Sequence, residues 1–576
     1  MLLAALEKLP PIPTFRNQFV TVIITLIALV LVGSITPWEI IADQTLSDEV
    51  STALRNRLEA TEALPGILVG EEQLTASVMF AAFYKKRSYL PAWSGEGGPL
   101  PQADALLRAL KNADQEGLRP SDYHLAQAEA ALRQLRQTSG GQGKQDPTPW
   151  ADFDLLLTDA FLIYGSHLRF GRFKADTADQ EWLLTHSEAD LGQVLQNALD
   201  ANQIEPALES LLPPQPDYAR LRNALAQYRE IASHGGWPLV PDGPKLRKGD
   251  RTERIRVLRN RLVIEGYLDQ VATTDALDFF DDALAGAVRR FQARQGLGVD
   301  GVVGPETLMA LNIPVETRII QIALNLERWR WLPHELGERY ILVNIANFEL
   351  EIVGKGQTRT TMRIVVGKPY LHTPIFSAHM TSLVLNPYWE IPPSIAAQEI
   401  LPMIRKDPHY LVKEGIKIFR GWSAQEREID PKAIRWEKLN AKNFSYRLRQ
   451  DPGPPNPLGQ IKFSLPNRFH VYLHDTPARS MFARKLRGFS HGCIRVEKPI
   501  ELAEYVLQGD PKWSKDTILE VLGQGLTKTI RLREPVAVHV VYRTAWPSDD
   551  GSMHFRNDIY GRDQALDQNL CEEPPS

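Results

Sequence analysis

"GFSHGCIRV", residues 488–496, puts a serine, a histidine and a cysteine within four positions. Gly488, Ser490 and Gly492 fit the G-x-S-x-G pattern of a serine nucleophile elbow, whereas Cys493 offers a thiol. An elbow needs a buried strand, then a tight turn, then a helix. The preceding "SMFARKLRGF" carries Arg484, Lys485 and Arg487 and reads as no buried strand. The following "CIRVEKP" is β-like and ends at Pro499. The context rejects Ser490 as nucleophile and favours a glycine turn that presents Cys493 between β segments.

A free thiol, with a pKa of about 8.5, is mostly protonated at neutral pH, so the cysteine needs help to become a thiolate. Imidazole is the usual partner, as a thiolate–imidazolium pair, and needs an acceptor on its other nitrogen to orient it. His491 lies two residues before Cys493, about 6.5 Å away in an extended chain, and is a secondary site residue. His474, in "VYLHDTP", ends a strand-like run and is the expected base, facing Cys493 from a neighbouring strand. Asp475 or a backbone carbonyl would orient it. The amides around Gly492 and Cys493 are candidate oxyanion donors. Arg495 shares a face with Cys493 if the chain is extended, suited to a carboxylate or to support of the site; a surface ion pair is the alternative. His470 and His474 have the i, i+4 spacing of zinc ligands on a helix, but "HVYLH" is strand-like, which would separate them by about 13 Å.

The same alternation runs through much of the C-terminal part. "YILVNIANFELEIV" sets Ile341, Val343 and Ile345 against Leu342, Asn344 and Ala346. "TTMRIVVGK", "FSAHMTSLVLNPYWEIP" and "PVAVHVVYRTA" continue it. A mainly-β domain is expected over 338–545, interrupted by a helical, polar cap over about 390–455, a length typical of a lid. Residues 546–576 read as a polar, loosely held tail, and Cys571 as a frayed terminal cysteine.

Upstream, residues 46–235 read as a helical scaffold, with loop compositions at 140–149 and 211–217. "YLPAW" (89–93) reads as a packing turn. A linker at 234–245 leads to a three-helix segment over 246–314, whose third helix opens at Pro305. Gly296, Gly298 and Gly301 form G-x-G-x-x-G there, but after a helix rather than a strand, so no dinucleotide site is expected.

Residues 1–45 carry a targeting signal. Lys8 and Arg16 precede the apolar run Phe19–Ile35, about 26 Å as a helix, between a signal-peptide core and a bilayer span. Glu39 and Asp43 follow it, so the positive-inside rule puts the N-terminus in the cytoplasm and the body outside. Cleavage after Ser34 stays open.

The chain has 576 residues, too many for one core. Its net charge of −4 carries no polybasic signature of nucleic-acid binding, and two cysteines rule out a disulfide scaffold or a cysteine-based zinc cluster.

His474 followed after 15 residues by "SHGCIRV" is similar to the signature of the L,D-transpeptidase catalytic domain. "VVGKPYLHTP" (365–374), "NPYWEIPPSIA" (386–396) and "GPPNPLGQIKF" (453–463) are also similar to that family. "FQARQGLGVDGVVGPETLMAL" (291–311) resembles the three-helix peptidoglycan-binding domain. Together they resemble the large periplasmic type with scaffold, peptidoglycan-binding domain and capped, β-sandwich-like catalytic domain. The resemblance implies Cys493 as nucleophile, His474 as base, the Asp475 carbonyl as its orienter, and Ser490, His491, Gly492 and Arg495 as residues shaping the site. It implies peptidoglycan stem peptides and glycan as partners, carbapenem-type β-lactams as inhibitors, a membrane contact through the N-terminal segment, and no metal or organic cofactor. The expected reaction forms a thioester with a tetrapeptide stem, releases D-Ala and makes a 3→3 cross-link. A wall carboxypeptidase or endopeptidase using the same pair, and a silent wall-binding scaffold, are the alternatives. The chain contains no S-x-x-K, against a penicillin-binding serine transpeptidase.

Overall fold

The computed structural model describes residues 45–60, 67–70, 72–74, 76–138, 146–173, 190–269, 277–421, 423 and 426–572. The apolar run Phe19–Ile35 and the side chain of Cys571 lie outside the described residues.

The N-terminal part is a helical body around Thr148–Phe170. That helix is apolar around most of its circumference, so it is buried on nearly every side rather than along one stripe. Its embedded polar residues need internal partners. The Asp154 carboxylate accepts the amides of Ala92 and Trp93 at 2.9 Å and the Tyr84 hydroxyl at 2.7 Å. The "YLPAW" turn is therefore held by a buried carboxylate from the central helix.

The next unit consists of helices Glu253–Ile264, Asp282–Arg294 and Pro305–Leu311. Leu258, Leu262, Leu284, Val288, Phe291 and Leu311 form its core. Gly296, from the G-x-G-x-x-G stretch, has φ +66°, and a Cβ there would meet the Arg556 Cδ at 2.7 Å. That glycine serves the close approach of a C-terminal residue, whose guanidinium donates to the Arg294 carbonyl at 2.7 Å.

Helix Val315–Arg330 had no expected role. It packs on the scaffold helix Pro216–Ser233 and on the last helix, Arg562–Glu572. Its charges are buried in pairs: Arg330 with Glu327 at 3.0 Å and Arg328 with Asp563 at 2.5 Å. Such a helix looks solvent-facing in sequence because part of its ionic pairing, such as Asp563 with Arg328, comes from a distant segment.

The β domain contains strands β1 (Arg339–Asn344), β2 (Glu349–Gly354), β3 (Gln357–Gly367) and β4 (Phe376–Leu385). In the cap are β5 (Trp389–Ile391), β6 (Ile416–Phe419) and β7 (Arg447–Gln450). The main sheet continues with β8 (Ile461–Ser464), β9 (Leu473–His474), β10 (Gly488–Ser490), β11 (Ile494–Val496) and β12 (Lys528–Val541). Pairing runs β10-β3-β11-β9-β8-β4-β12-β1-β2, and β2 returns to β3. The 11-residue β3 closes this circuit: its first part pairs with β2, and Ile364 and Val365 pair with β11. Inward residues such as Ile341, Val343, Leu383, Phe463, Ile494 and Val538 fill the interior.

Two expectations change. The cap is not purely helical: β6-β7-β5 form an antiparallel sheet beside short helices, around Ile391, Ile400, Ile404, Leu411, Ile418 and Leu448. Its strands are three or four residues long, too short to show a period amid polar loops. The C-terminal segment is not a loose tail. Strands β13 (Ala545–Pro547) and β14 (Met553–Phe555) form a hairpin whose Ala545, Met553 and Phe555 join the scaffold core, and Leu566 of the last helix is buried beside Trp331. Few apolar residues suffice there because the surfaces they cover belong to other units.

Candidate active site

The "NRFH" stretch before His474 is a turn rather than the strand expected from "HVYLH". Asn467 organises it, accepting the amides of Phe469 and Val471, and His470 has φ +55°. The strand is short, but its register fixes the site. β9 and β11 run parallel, with Leu473 opposite Ile494 and His474 opposite Arg495. The Ile494 amide donates to the Tyr472 carbonyl at 3.1 Å. Side chains alternate along a strand, so Tyr472, His474, Cys493 and Arg495 share one face. On the other side β8 places Lys462 opposite His474. Three adjacent strands thus present Lys462, His474 and Arg495 in a row, with Tyr472 and Cys493 in the next.

The Cys493 thiol keeps a partly open edge yet is closely surrounded. Burial pushes its pKa above the ordinary 9.0, opposed by the Tyr472 amide, the Lys462 charge, the Tyr472 side chain and Arg495. His474 is fully enclosed, and its Nδ1 donates to the Asp475 carbonyl at 2.5 Å. A carbonyl only accepts, so this bond puts the ring proton on Nδ1 and leaves Nε2 as the basic nitrogen. Burial first, then Arg495, push its pKa down to about 3. Burial therefore disfavours both the thiolate of Cys493 and the imidazolium of His474, against the thiolate–imidazolium pair expected from the sequence. Two nearby cations and desolvation disfavour the imidazolium, while desolvation disfavours the thiolate.

The glycine turn is stapled from within. The buried Ser490 hydroxyl donates to the Cys493 carbonyl at 2.5 Å and accepts the Gly492 amide at 3.1 Å. Gly492 has φ +113°, a conformation costly for any residue with a Cβ. One of the two expected oxyanion amides is thus engaged by Ser490. The Asp475 carboxylate accepts the Gln460 amide at 2.9 Å and contacts Arg479 at 3.2 Å. A Cβ on Gly459, at φ +57°, would lie 2.3 Å from that carboxylate, so Asp475 locks the loop entering β8.

His491 does not join the array. It is exposed, and its Nε2 meets Glu399 Oε1 of the cap at 2.5 Å. Arg495 contacts the Met481 sulfur at 3.2 Å, and its Nε is buried without a hydrogen-bond partner. Among the described residues no carboxylate pairs with it, so the alternative of a surface ion pair is not what the structure contains.

Lys462 and Tyr472 were not singled out in the sequence. Tyr472 was findable, two residues before His474 on the same strand face; its ring lies 5.7 Å from the imidazole, centroid to centroid. Lys462 was not, because only the β8–β9 register brings it there, with Nζ 4.0 Å from the Tyr472 ring centroid.

Residues 338–513 match the family of the L,D-transpeptidase catalytic domain. This chain carries an L,D-transpeptidase catalytic domain. Residues 251–311 match a peptidoglycan binding domain and residues 79–225 a scaffold domain. A Haemophilus influenzae protein named "Putative L,D-transpeptidase" is 32% identical over 311 residues, or 54% of this chain. The chain spans 59% of that relative's length. An N-acetylmuramoyl-L-alanine amidase of Mycobacterium tuberculosis is 44% identical over 80 residues, 13% of this chain and 20% of the amidase. Similar solved structures include an L,D-transpeptidase from Xylanimonas cellulosilytica at 15% identity, covering 52% of this chain and 99% of that one with a TM-score of 0.16. In the L,D-transpeptidase domain, Lys462, Tyr472, His474, Cys493 and Arg495 all lie within the matched residues.

Proposed function

We propose that the protein is a periplasmic, membrane-anchored L,D-transpeptidase that cross-links peptidoglycan stems through Cys493. The observation that carries this reading is the single strand face shared by Cys493, Tyr472, His474 and Arg495 inside the matched domain. The apolar run Phe19–Ile35, flanked by basic residues only on its N-terminal side, supports the anchored location.

In this mechanism His474 Nε2 takes the thiol proton as Cys493 Sγ attacks the carbonyl of the third stem residue, a diamino acid. The neutral resting pair makes attack and proton transfer concerted, since neither ion is favoured beforehand. In this reading the Cys493 amide and the Tyr472 hydroxyl stabilise the oxyanion, and Lys462 adds positive charge nearby. The tetrahedral intermediate then expels the D-Ala amine, which takes the proton back from His474, and a thioester remains. The side-chain amine of another stem attacks that thioester, passes its proton to His474, and the thiol is restored. The Arg495 guanidinium is suited to a stem carboxylate.

Product analysis tests this reading against its alternatives. Incubation with disaccharide-tetrapeptide should yield, by mass spectrometry, a cross-linked dimer shortened by one D-Ala. Tripeptide without dimer would replace transfer by hydrolysis. No product, and no intact-mass adduct with a carbapenem, would leave a wall-binding scaffold.

The cap is assigned to donor binding through the Glu399–His491 contact beside the catalytic turn. Glu399→Ala should raise KM for the tetrapeptide about two- to fivefold, the worth of one partly exposed hydrogen bond. Unchanged KM would dissociate the cap from donor binding.

A further inference from the structure

The C-terminal segment lies outside the matched catalytic domain, yet one of its residues grips the loop that holds the catalytic turn. Loop 367–373 touches the turn at two points: the Lys368 amide donates to the Ser490 carbonyl at 3.0 Å, and Thr373 Oγ1 donates to the Gly492 carbonyl at 2.8 Å. The same Thr373 hydroxyl accepts the Gly367 amide at 2.9 Å, which fixes its orientation. The loop is tightly folded, since a Cβ on Gly367 would fall 2.0 Å from the Leu371 carbonyl oxygen.

Tyr560 closes over this loop. Its hydroxyl donates to the Gly367 carbonyl at 2.6 Å, and its ring stacks on His372 with centroids 4.3 Å apart. Arg562 reaches the Thr373 carbonyl at 3.2 Å. Tyr560 is itself fixed: its amide donates to the Tyr542 hydroxyl at 3.0 Å, and that hydroxyl donates to Asp558 at 2.6 Å. Asp558 also accepts the amides of Arg562 and Asp563, and Asp563 pairs with Arg328 of the buried helix Val315–Arg330.

We infer that Tyr560 is a positioning residue for acyl transfer: through Gly367 and Thr373 it sets the conformation of the Gly492–Cys493 turn. It touches no reacting atom. The inference deepens the transpeptidase reading and rests on Cys493 as nucleophile.

The test uses the full chain and two variants. Tyr560→Phe keeps the stacked ring and removes the hydroxyl; Tyr560→Ala removes both. Three quantities are read: the rate of carbapenem acylation of Cys493, the rate of its alkylation by iodoacetamide, and hydrogen exchange of residues 488–496. Alkylation needs the thiol but no oxyanion donors, so it separates turn geometry from thiol reactivity. Tyr560→Phe removes the bond to the Gly367 carbonyl and a longer one from the Thr373 amide at 3.4 Å, and should slow acylation about 3- to 10-fold, with alkylation and thermal midpoint unchanged and faster exchange in the turn. Tyr560→Ala should slow acylation further. Wild-type acylation rates and unchanged exchange in both variants would overturn the inference, as would slowing matched by a lower thermal midpoint and equally slowed alkylation. If the wild type forms no adduct, the Cys493 reading fails, and the exchange comparison alone decides whether Tyr560 holds the turn.

Discussion

Cys493→Ala is expected to abolish acyl-enzyme formation, with turnover falling at least ~10⁴-fold, the scale seen when a nucleophile is removed. No other residue on the shared strand face carries a nucleophile suited to a stable thioester. Tyr472 is the nearest hydroxyl, and burial pushes its pKa well up, so it cannot substitute as a nucleophile. Ser490→Ala separates the two readings of the glycine turn. Its hydroxyl is engaged with the Cys493 carbonyl and the Gly492 amide, so its loss should loosen the turn and slow acylation about 10- to 100-fold, without abolishing the adduct. Intact-mass detection of a carbapenem adduct reads both variants. An adduct in Cys493→Ala, or full activity in Cys493→Ala with none in Ser490→Ala, would reverse the assignment.

His474→Ala should lower acylation about 10²- to 10⁴-fold, the usual contribution of a general base. Its pH signature follows from the resting protonation states. Burial pushes the pKa of His474 down to about 3, so the imidazole is unprotonated and free to accept a proton at every pH well above that value. The thiol pKa lies above 9.0, so the thiol keeps its proton through neutrality. kcat/KM for acylation should therefore show no acid limb near the ordinary histidine value of about 6.5. Alkylation of Cys493 by iodoacetamide, which requires the thiolate, should climb steadily with pH through neutrality. An alkylation plateau reached at acidic pH would establish a preformed thiolate–imidazolium pair and overturn the neutral resting state.

The sequence points to Cys493 and His474 through features that are local. The β-like residues after Cys493 and the charged stretch before Gly488 argue against a nucleophile elbow from sequence alone, and in the structure Gly492 takes φ +113°. His474 was legible for the same reason, as the end of an apolar run followed by Asp and Pro. The scaffold and three-helix unit were legible from period and from caps such as Pro305.

Other features have no local signal. Lys462 enters the site only because β8 lies beside β9, and a register slip of one residue would turn it to the other face. Helix Val315–Arg330 is charge-rich in sequence and buried in the fold because Asp563 and Glu116, far along the chain, neutralise its arginines.

By itself the sequence singles out Cys493 as the expected nucleophile and His474 as the expected base, because such an expectation rests on residue type in a short strand-and-turn context. Only the tertiary structure shows that burial disfavours both the thiolate of Cys493 and the imidazolium of His474, and that Tyr560 grips the loop beside the turn from the far end of the chain. Desolvation and cross-strand register sum over segments hundreds of residues apart, and no window of sequence contains them.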